Sequence, residues 1–472
     1  MHRLEIRNFG PISEADIEVG DLTVIIGEQA TGKSTIAKLI YFFQSLKEDA
    51  LKAALHGVDT NGNPSSIFRR EATEKFRYFF KPSYFQSNTQ IKYSFSKSQK
   101  FEVEIREGVE VEVAASPNYW AEIDYALFRI QVLLENRLQE LLQKQTSKSI
   151  LNPVQSPHAE IKNILDGLFP ECQDALYIPA GRNISVGYSE QFEQYFRDRL
   201  ILGLSSGADL IQTDANRSPT ADMFLLENFM KRVAEIKDEF RSSGGGFSEM
   251  VKDYAKRFAD GNGRVAAALR AINQHISEIL RGEYRADGSA ERIQFSKDKF
   301  IWLREASSGQ QESIRILQDM MLLTRDGTSV FRAIEEPEAH LFPLAQQHLV
   351  EIIALAQAAT GSRFVLTTHS PYIVSALNNI LFYSQLTQNG VQNDSPKLNP
   401  ENLRGYMLTR DADTGAFKCE SLLKDVGRAG QPLKLMGHTS LDTVAEQMGA
   451  TFSELRTRYR NQTLEQTPTE AR

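Results

Sequence analysis

The run Gly27-Glu28-Gln29-Ala30-Thr31-Gly32-Lys33-Ser34-Thr35 spaces two glycines, a lysine and a following hydroxyl as a phosphate-binding loop requires. The glycines let backbone N–H groups turn inward around a β-phosphate. Lys33 can reach the β- and γ-oxygens, and the Ser34 hydroxyl can ligate Mg²⁺. A nucleoside triphosphate fits this chemistry. Far downstream, Glu335 and Glu336 stand side by side in Ile334-Glu335-Glu336-Pro337-Glu338. Two acids at a strand tip can divide labour, Glu335 holding the Mg²⁺ shell and Glu336 polarising the attacking water as a general base. Ala306-Ser307-Ser308-Gly309-Gln310-Gln311-Glu312 puts small residues ahead of an apolar periodic stretch, so helix N-terminal N–H groups are again offered to a phosphate. Thr367-Thr368-His369-Ser370 ends another apolar run in a polar cluster with an imidazole.

Each group needs an element to hold it. Leu22-Thr23-Val24-Ile25-Ile26 is a short β-branched run suited to a buried parallel strand, and Ile36, Leu39, Ile40 and Phe43 share one face of a helix over 34–44. That helix begins at Lys33 and points its positive end at the anion. The stretch 330–334 reads as an imperfect apolar strand, 363–366 as another, and Ile314, Ile316, Leu317, Met320 and Met321 as a helix. Residues 4–12 and 15–19 read as two strands joined by a Gly-Pro turn, and alternation within 66–114 predicts an antiparallel layer. From Tyr119 the period becomes helical, with Ile123, Leu127, Ile130, Leu134, Leu138 and Leu141 on one stripe. Residues 145–170 read as a loop, 176–180 as a strand, and two further apolar faces, Phe229 to Phe240 and Val265 to Leu280, as helices joined by a Gly-rich turn.

At 472 residues the chain can bury a large core. Its formal net charge of −7 argues against an overall field that drives it onto nucleic acid or an anionic membrane, so any DNA contact must be local. Two distant cysteines give neither a disulfide framework nor metal-ligand spacing. No apolar stretch approaches the ~18 residues of a membrane span, and the first residues lack the apolar core of a signal peptide. A cytoplasmic protein with no membrane partner is the expectation.

With the four motifs in order, the chain resembles an ABC-type ATPase of the branch that includes SMC, Rad50 and RecF proteins. It is most similar to the OLD-like ATPases, AAA15 or AAA21 types, of bacterial anti-phage systems, among them the PtuA and PARIS ATPases. The resemblance implies an α/β fold: a P-loop ATPase head with an antiparallel β layer and an inserted helical lobe, binding ATP and Mg²⁺. Gly27, Gln29, Thr31, Gly32, Lys33, Ser34 and Thr35 would form the nucleotide loop, and Ser34 and Glu335 the metal shell. Ser307, Gly309 and Gln310 belong to the signature segment, which in this family touches the γ-phosphate bound by another protomer. Glu336 matches the catalytic acid, His369 the switch histidine, and Glu338 to Leu341 the segment that communicates across the dimer. The signature departs from the common Leu-Ser-Gly-Gly-Gln, and Glu335 stands where Asp is common. Tyr177-Ile178-Pro179-Ala180-Gly181-Arg182 resembles an OLD-like strand motif, which implies an Arg182 near the nucleotide, with no target assignable to it.

The implied organisation is a head over 1–118 and 286–377, a helical lobe over 119–285 returning to the head near 176–182, and an assembly or docking region over 378–472. That last region holds no Toprim or HNH nuclease site. Asp411-Ala412-Asp413-Thr414-Gly415 reads as a hairpin turn, and 440–448 and 452–459 as small helices. The functional expectation is a homo-oligomerising ATPase that senses or regulates within an anti-phage system and controls a separate effector, an HNH or Toprim nuclease or a toxin. The alternative is a DNA-binding repair or recombination ATPase like RecF.

Overall fold

The computed structural model describes residues 1–60, 62–106, 110–144, 157–187, 221–258, 263–288, 290–387, 398–411, 414–426, 433–437, 450 and 453. The expected small helices at 440–448 and 452–459 fall almost wholly outside them, as does 145–156 of the expected loop.

The backbone of the fold is a sheet of eleven strands. In chain order these are β1 (His2–Phe9), β2 (Ile12–Val19), β3 (Leu22–Gly27), β4 (Phe85–Ser94), β5 (Lys100–Arg106), β6 (Glu110–Ala115) and β7 (Asp174–Ile178), then β11 (Val330–Glu335), β12 (Arg363–Thr368), β13 (Leu403–Arg410) and β14 (Phe417–Ser421). Their spatial order is β6-β5-β4-β1-β2-β14-β13-β3-β12-β11-β7. The strands from β13 to β7 run parallel, and those from β6 to β2 antiparallel. All six residues of β3 are buried, as a parallel strand covered on both faces must be. The two-residue period sends Ile25, Ala333 and Val365 into one core and Val24, Ile26, Ile334 and Leu366 into the other.

Helices α1 (Lys33–Thr60), α2 (Pro64–Phe79), α3 (Pro117–Lys144) and α4 (Pro157–Leu168) pack into the first core. The second takes α6 (Ala221–Ser242), α7 (Phe247–Arg257), α8 (Gly263–Leu280), α9 (Ser308–Asp326), α10 (Pro343–Thr360) and α11 (Pro371–Thr387). One short turn, α5 (Ile184–Gly187), follows β7. α1 runs sixteen residues past Gln44 because Leu46, Ala50, Ala53 and Ala54 keep an apolar face buried beyond the short periodic window. Part of the expected loop at 145–170 is α4, whose Ile161, Leu165 and Leu168 at helical spacing are buried. On α3 the stripe is buried at Ile123, Leu127 and Ile130, whereas Leu138 is half exposed, so the helix packs along its first half.

Of the range 378–472 set apart above, the described strands β13 and β14 join the main sheet, β13 lying between β14 and the phosphate-loop strand β3. Its side chains Leu403 and Leu408 complete the two cores. Asp411 closes the β13–β14 hairpin as expected, its Oδ1 accepting from the Thr414 N–H at 2.9 Å. A three-stranded antiparallel sheet not read from the sequence, β8 (Glu283–Asp287), β9 (Ala290–Ser296) and β10 (Lys299–Trp302), leads into α9. A small pair, β15 (Leu423–Asp425) and β16 (Lys434–Met436), follows β14. Among the described residues no helix is long and apolar enough to cross a membrane.

Candidate functional site

Parallel pairing brings the C-terminal ends of β3, β12 and β11 together. Ile25 lies opposite Thr367, and Thr367 opposite Glu335. Gly27, His369 and Glu336 therefore leave the sheet side by side, at the strand ends where open α/β sheets place their ligands.

The phosphate loop is shaped by its own backbone. Ala30 and Gly32 have φ of +62° and +103°, and a Cβ on Gly32 would stand 2.9 Å from Ile12 Cγ1, so both conformation and space require glycine there. Thr31 Oγ1 donates to the Glu28 carbonyl at 2.9 Å. Lys33, first residue of α1, is buried, and its Nζ donates to the carbonyls of Gly27 at 2.7 Å and Glu28 at 2.5 Å. Burial lowers the pKa of its ammonium, opposed by the carboxylates of Glu336, Glu338, Glu28 and Glu335. Gln29 and Ser34 are exposed on the loop, and Thr35 is buried.

β11 ends in the carboxylate cluster. Glu336 has φ +41°, a conformation costing a non-glycine residue roughly 1–2 kcal/mol. Its N–H donates to the Thr367 carbonyl at 2.8 Å, which holds the turn. Glu338 is buried. Its Oε1 accepts from Thr368 Oγ1 at 2.5 Å and the His369 N–H at 3.1 Å, while Oε2 has no partner. His369 Nδ1 lies 3.5 Å from Glu336 Oε1 and 3.6 Å from Glu338 Oε1 without a hydrogen bond to either.

Arg182 occupies the centre of this region, wholly buried. Nη1 donates to the carbonyls of Pro179 (2.9 Å) and Glu335 (2.6 Å), Nη2 to that of Glu336 (3.0 Å), and Nε to that of Glu312 (3.1 Å). Its own N–H donates to Glu312 Oε2 at 2.9 Å. Burial lowers the pKa of the guanidinium and the Glu312 carboxylate beside it works in the opposite sense. The residue left without a target in the sequence thus ties β7 to the carboxylate turn and to α9. Glu312, flanked in the sequence by Gln311 and Ser313, carries no local signal of its burial, so its pairing with Arg182 was not legible before the fold.

Ser307 caps α9. Its Oγ accepts from the Gln310 N–H at 3.4 Å and Gln310 Oε1 accepts from the Ser307 N–H at 3.1 Å, a reciprocal capping box. Gln310 Nε2 also donates to the Leu280 carbonyl at the end of α8, at 2.7 Å. Gly309 is buried against the segment after the acids, where a Cβ would stand 2.6 Å from the His340 carbonyl. Ser307 is exposed, and its described hydrogen bonds go to Gln310 and Gln311, none to the loop 27–35. Deeper along α9, Asp319 bonds Arg332 of β11 at 2.8 Å and Arg232 of α6 at 2.9 Å. Burial opposes ionisation of Asp319, yet the two guanidiniums hold its carboxyl below the usual range. Arg332 is the interruption that made β11 read as an imperfect strand.

The AAA ATPase domain family model matches residues 1–374, which include all of these groups. The chain belongs to that family. The match makes this an ATPase-domain protein of nucleotide-binding P-loop type. No curated protein matches the chain. Solved structures similar to it include the SMC head domain from Thermotoga maritima, at 11% identity, 89% of this chain, 97% of that one and a TM-score of 0.34. The SMC head bound to the C-terminal winged-helix domain of ScpA is similar at 12%, 89%, 96% and 0.39. An Smc head with an extended coiled coil, bound to the ScpA C-terminal domain derived from Pyrococcus furiosus, is similar at 12%, 89%, 96% and 0.36. These likenesses are distant, and membership of the AAA ATPase domain family rests on the sequence match.

Proposed function

We propose that this ATPase-domain protein hydrolyses Mg²⁺-bound ATP in a site completed by a second copy of the chain, and that it uses this closure to regulate a separate effector in a prokaryotic anti-phage system. One observation carries the two-copy reading: the phosphate loop, Glu335, Glu336 and His369 share one end of the sheet, while the exposed Ser307 cap makes no bond to that loop. The exposed apolar side chains Phe342 and Tyr372, just beyond the Glu338–Leu341 segment and His369, suit a face that a second copy covers. Lys33 and the loop N–H groups would hold the β- and γ-phosphates, Ser34 and Glu335 the Mg²⁺, and Glu336 would take the proton of the attacking water. Mg²⁺ supplies charge neutralisation between the phosphates. The residues fit this role, because Ser34 is exposed at the start of α1 and Glu335 ends the strand two places from β3. The defence role and the effector, an HNH or Toprim nuclease or a toxin, rest on the resemblance to OLD-like ATPases.

Lys33→Ala is expected to weaken ATP binding about 10- to 100-fold, as the loss of a charged hydrogen bond of roughly 1.5–3 kcal/mol implies. Calorimetric titration checks it, and unchanged affinity would remove Lys33 from the site. Ser307→Arg should leave ATP binding within about twofold and abolish ATP-dependent dimers, because the cap itself is worth only about 1 kcal/mol. Light scattering after gel filtration reads this, and dimers persisting with ATP would defeat the two-copy site. The wider function is tested by purifying tagged Glu336→Gln protein from its native cells with ATP and Mg²⁺. A stoichiometric nuclease or toxin in the eluate supports effector control, whereas DNA without a protein partner favours a RecF-like clamp.

A further inference from the structure

α8 and α10 face each other through three polar side chains that the nucleotide chemistry does not use. His275 Nδ1 stands 3.0 Å from His348 Nδ1 and 3.1 Å from Glu351 Oε2, and His348 Nδ1 is 3.3 Å from the same oxygen. The three atoms form a nearly equilateral triangle. Hydrogen bonds cannot satisfy all its edges: with a hydrogen on one ring nitrogen, or on neither, a lone pair is left facing another lone pair, and with hydrogens on both, two N–H groups face one another across 3.0 Å. A cation at the centre satisfies all three at once. Metal–ligand bonds of about 2.0–2.1 Å separate neighbouring donors by about 2.9 Å in an octahedral shell and about 3.4 Å in a tetrahedral one, which brackets the observed edges.

We propose that His275, His348 and Glu351 form a binding site for a divalent transition metal, Zn²⁺ being the ion their chemistry favours. Two imidazoles select a borderline ion over Mg²⁺, and one carboxylate completes a three-ligand set with room for water. His348 and Glu351 are three apart on one helix and meet His275 from the facing helix, the spacing by which helical bundles build metal centres. Each side chain retains about a fifth of its exposure (17–21%), so an ion and a water ligand can enter. The carboxylate is already oriented, for Gln347 Nε2 donates to Glu351 Oε1 at 2.9 Å and leaves Oε2 for the ion. Glu278, one turn beyond His275, adds negative field on that histidine.

The position gives the site a consequence. α8 ends at Leu280, whose carbonyl holds Gln310 of the signature cap, and α10 begins directly after the Glu338–Leu341 segment. A bound ion clasps the helix supporting Ser307 to the helix that follows the carboxylate turn.

Co²⁺ titration of the full-length, metal-free protein tests the site, with excess Mg²⁺ present to fill oxygen-ligand sites. One equivalent should bind with ligand-field absorption, Zn²⁺ should displace it, and Zn²⁺ should raise the melting temperature. His275→Gln and His348→Gln should abolish the bands and the shift. Gln347→Leu, which keeps all three ligands, should weaken binding about 10- to 100-fold, as losses of outer-shell partners do. Circular dichroism of the metal-free variants separates lost ligation from lost folding. Absence of Co²⁺ absorption in the wild-type protein, or absorption unchanged in the folded histidine variants, overturns the assignment.

Discussion

Glu336→Gln protein is expected to bind ATP and fail to turn it over, with hydrolysis reduced on the order of 10²- to 10⁴-fold, the contribution of a positioned general base. Glutamine keeps the length and shape of the side chain but cannot accept a proton. The backbone that aims it is unaffected, because the positive φ is held by main-chain groups, the N–H on Thr367 and the carbonyl on Arg182. Strain of this kind in a non-glycine residue, over-determined by its surroundings, is a reason to look for function there. Binding of ATP and dimer formation should therefore survive, and dimers should accumulate in ATP and Mg²⁺ because the step that releases them is blocked. Single-turnover hydrolysis with radiolabelled ATP measures the chemistry apart from release. A rate within tenfold of wild type would mean that another group activates the water.

The second large effect belongs to Arg182. Arg182→Met is expected to destabilise the fold by about 3–5 kcal/mol, since removing one member of a buried ionic contact strands the Glu312 carboxylate and several carbonyls. Arg182→Lys preserves the charge but replaces the planar fork with a point donor that cannot span Pro179, Glu335, Glu336 and Glu312 together. Its signature is therefore kinetic: kcat down about 10²-fold, the cost of misplacing a reacting group by about 1 Å, with ATP affinity little changed. Chemical denaturation of the Met variant and steady-state kinetics of the Lys variant read the two effects separately. A fully active Lys variant would reduce Arg182 to a buried charge without a positioning role. The geometry favours more, because one side chain grips Glu335 at the end of β11, Glu336 after it, and the first turns of α9. A displacement of Ser307 by a second copy would thus be felt at Glu336 through Glu312 and Arg182.

The residues of the candidate site lie in short local runs. The phosphate loop needs only neighbouring residues, so the run Gly27 to Thr35 is legible in the sequence; so are the buried strands β3, β11 and β12, whose short apolar runs are broken only at Thr23 and Arg332. The end of α1 was less legible, because alanine-rich turns past Gln44 carry little periodic signal and owe their burial to α2 and α3. The β8–β10 sheet carries little sequence signal, because its strands are short and only Tyr284 and Ile293 in them are buried.

Other features exist only once distant segments meet. β13 reads like any half-buried hairpin strand, and no local property of Leu403 to Arg410 states that it will pair with β3, almost four hundred residues earlier. Arg182 has no assignable target until β7 docks on β11 and surrounds it with carbonyls from three segments. His275 and the His348–Glu351 pair are unremarkable polar positions on two helices until those helices pack. What the sequence determined by itself was the phosphate-loop pattern and the adjacent carboxylates at a strand end, because those depend on residue types within one strand and one turn. Which buried charges face one another, and hence how α9 is tied through Glu312 and Arg182 to the carboxylate turn, was decided by tertiary packing, since ion-pair geometry depends on distances between residues that the chain brings together only when folded.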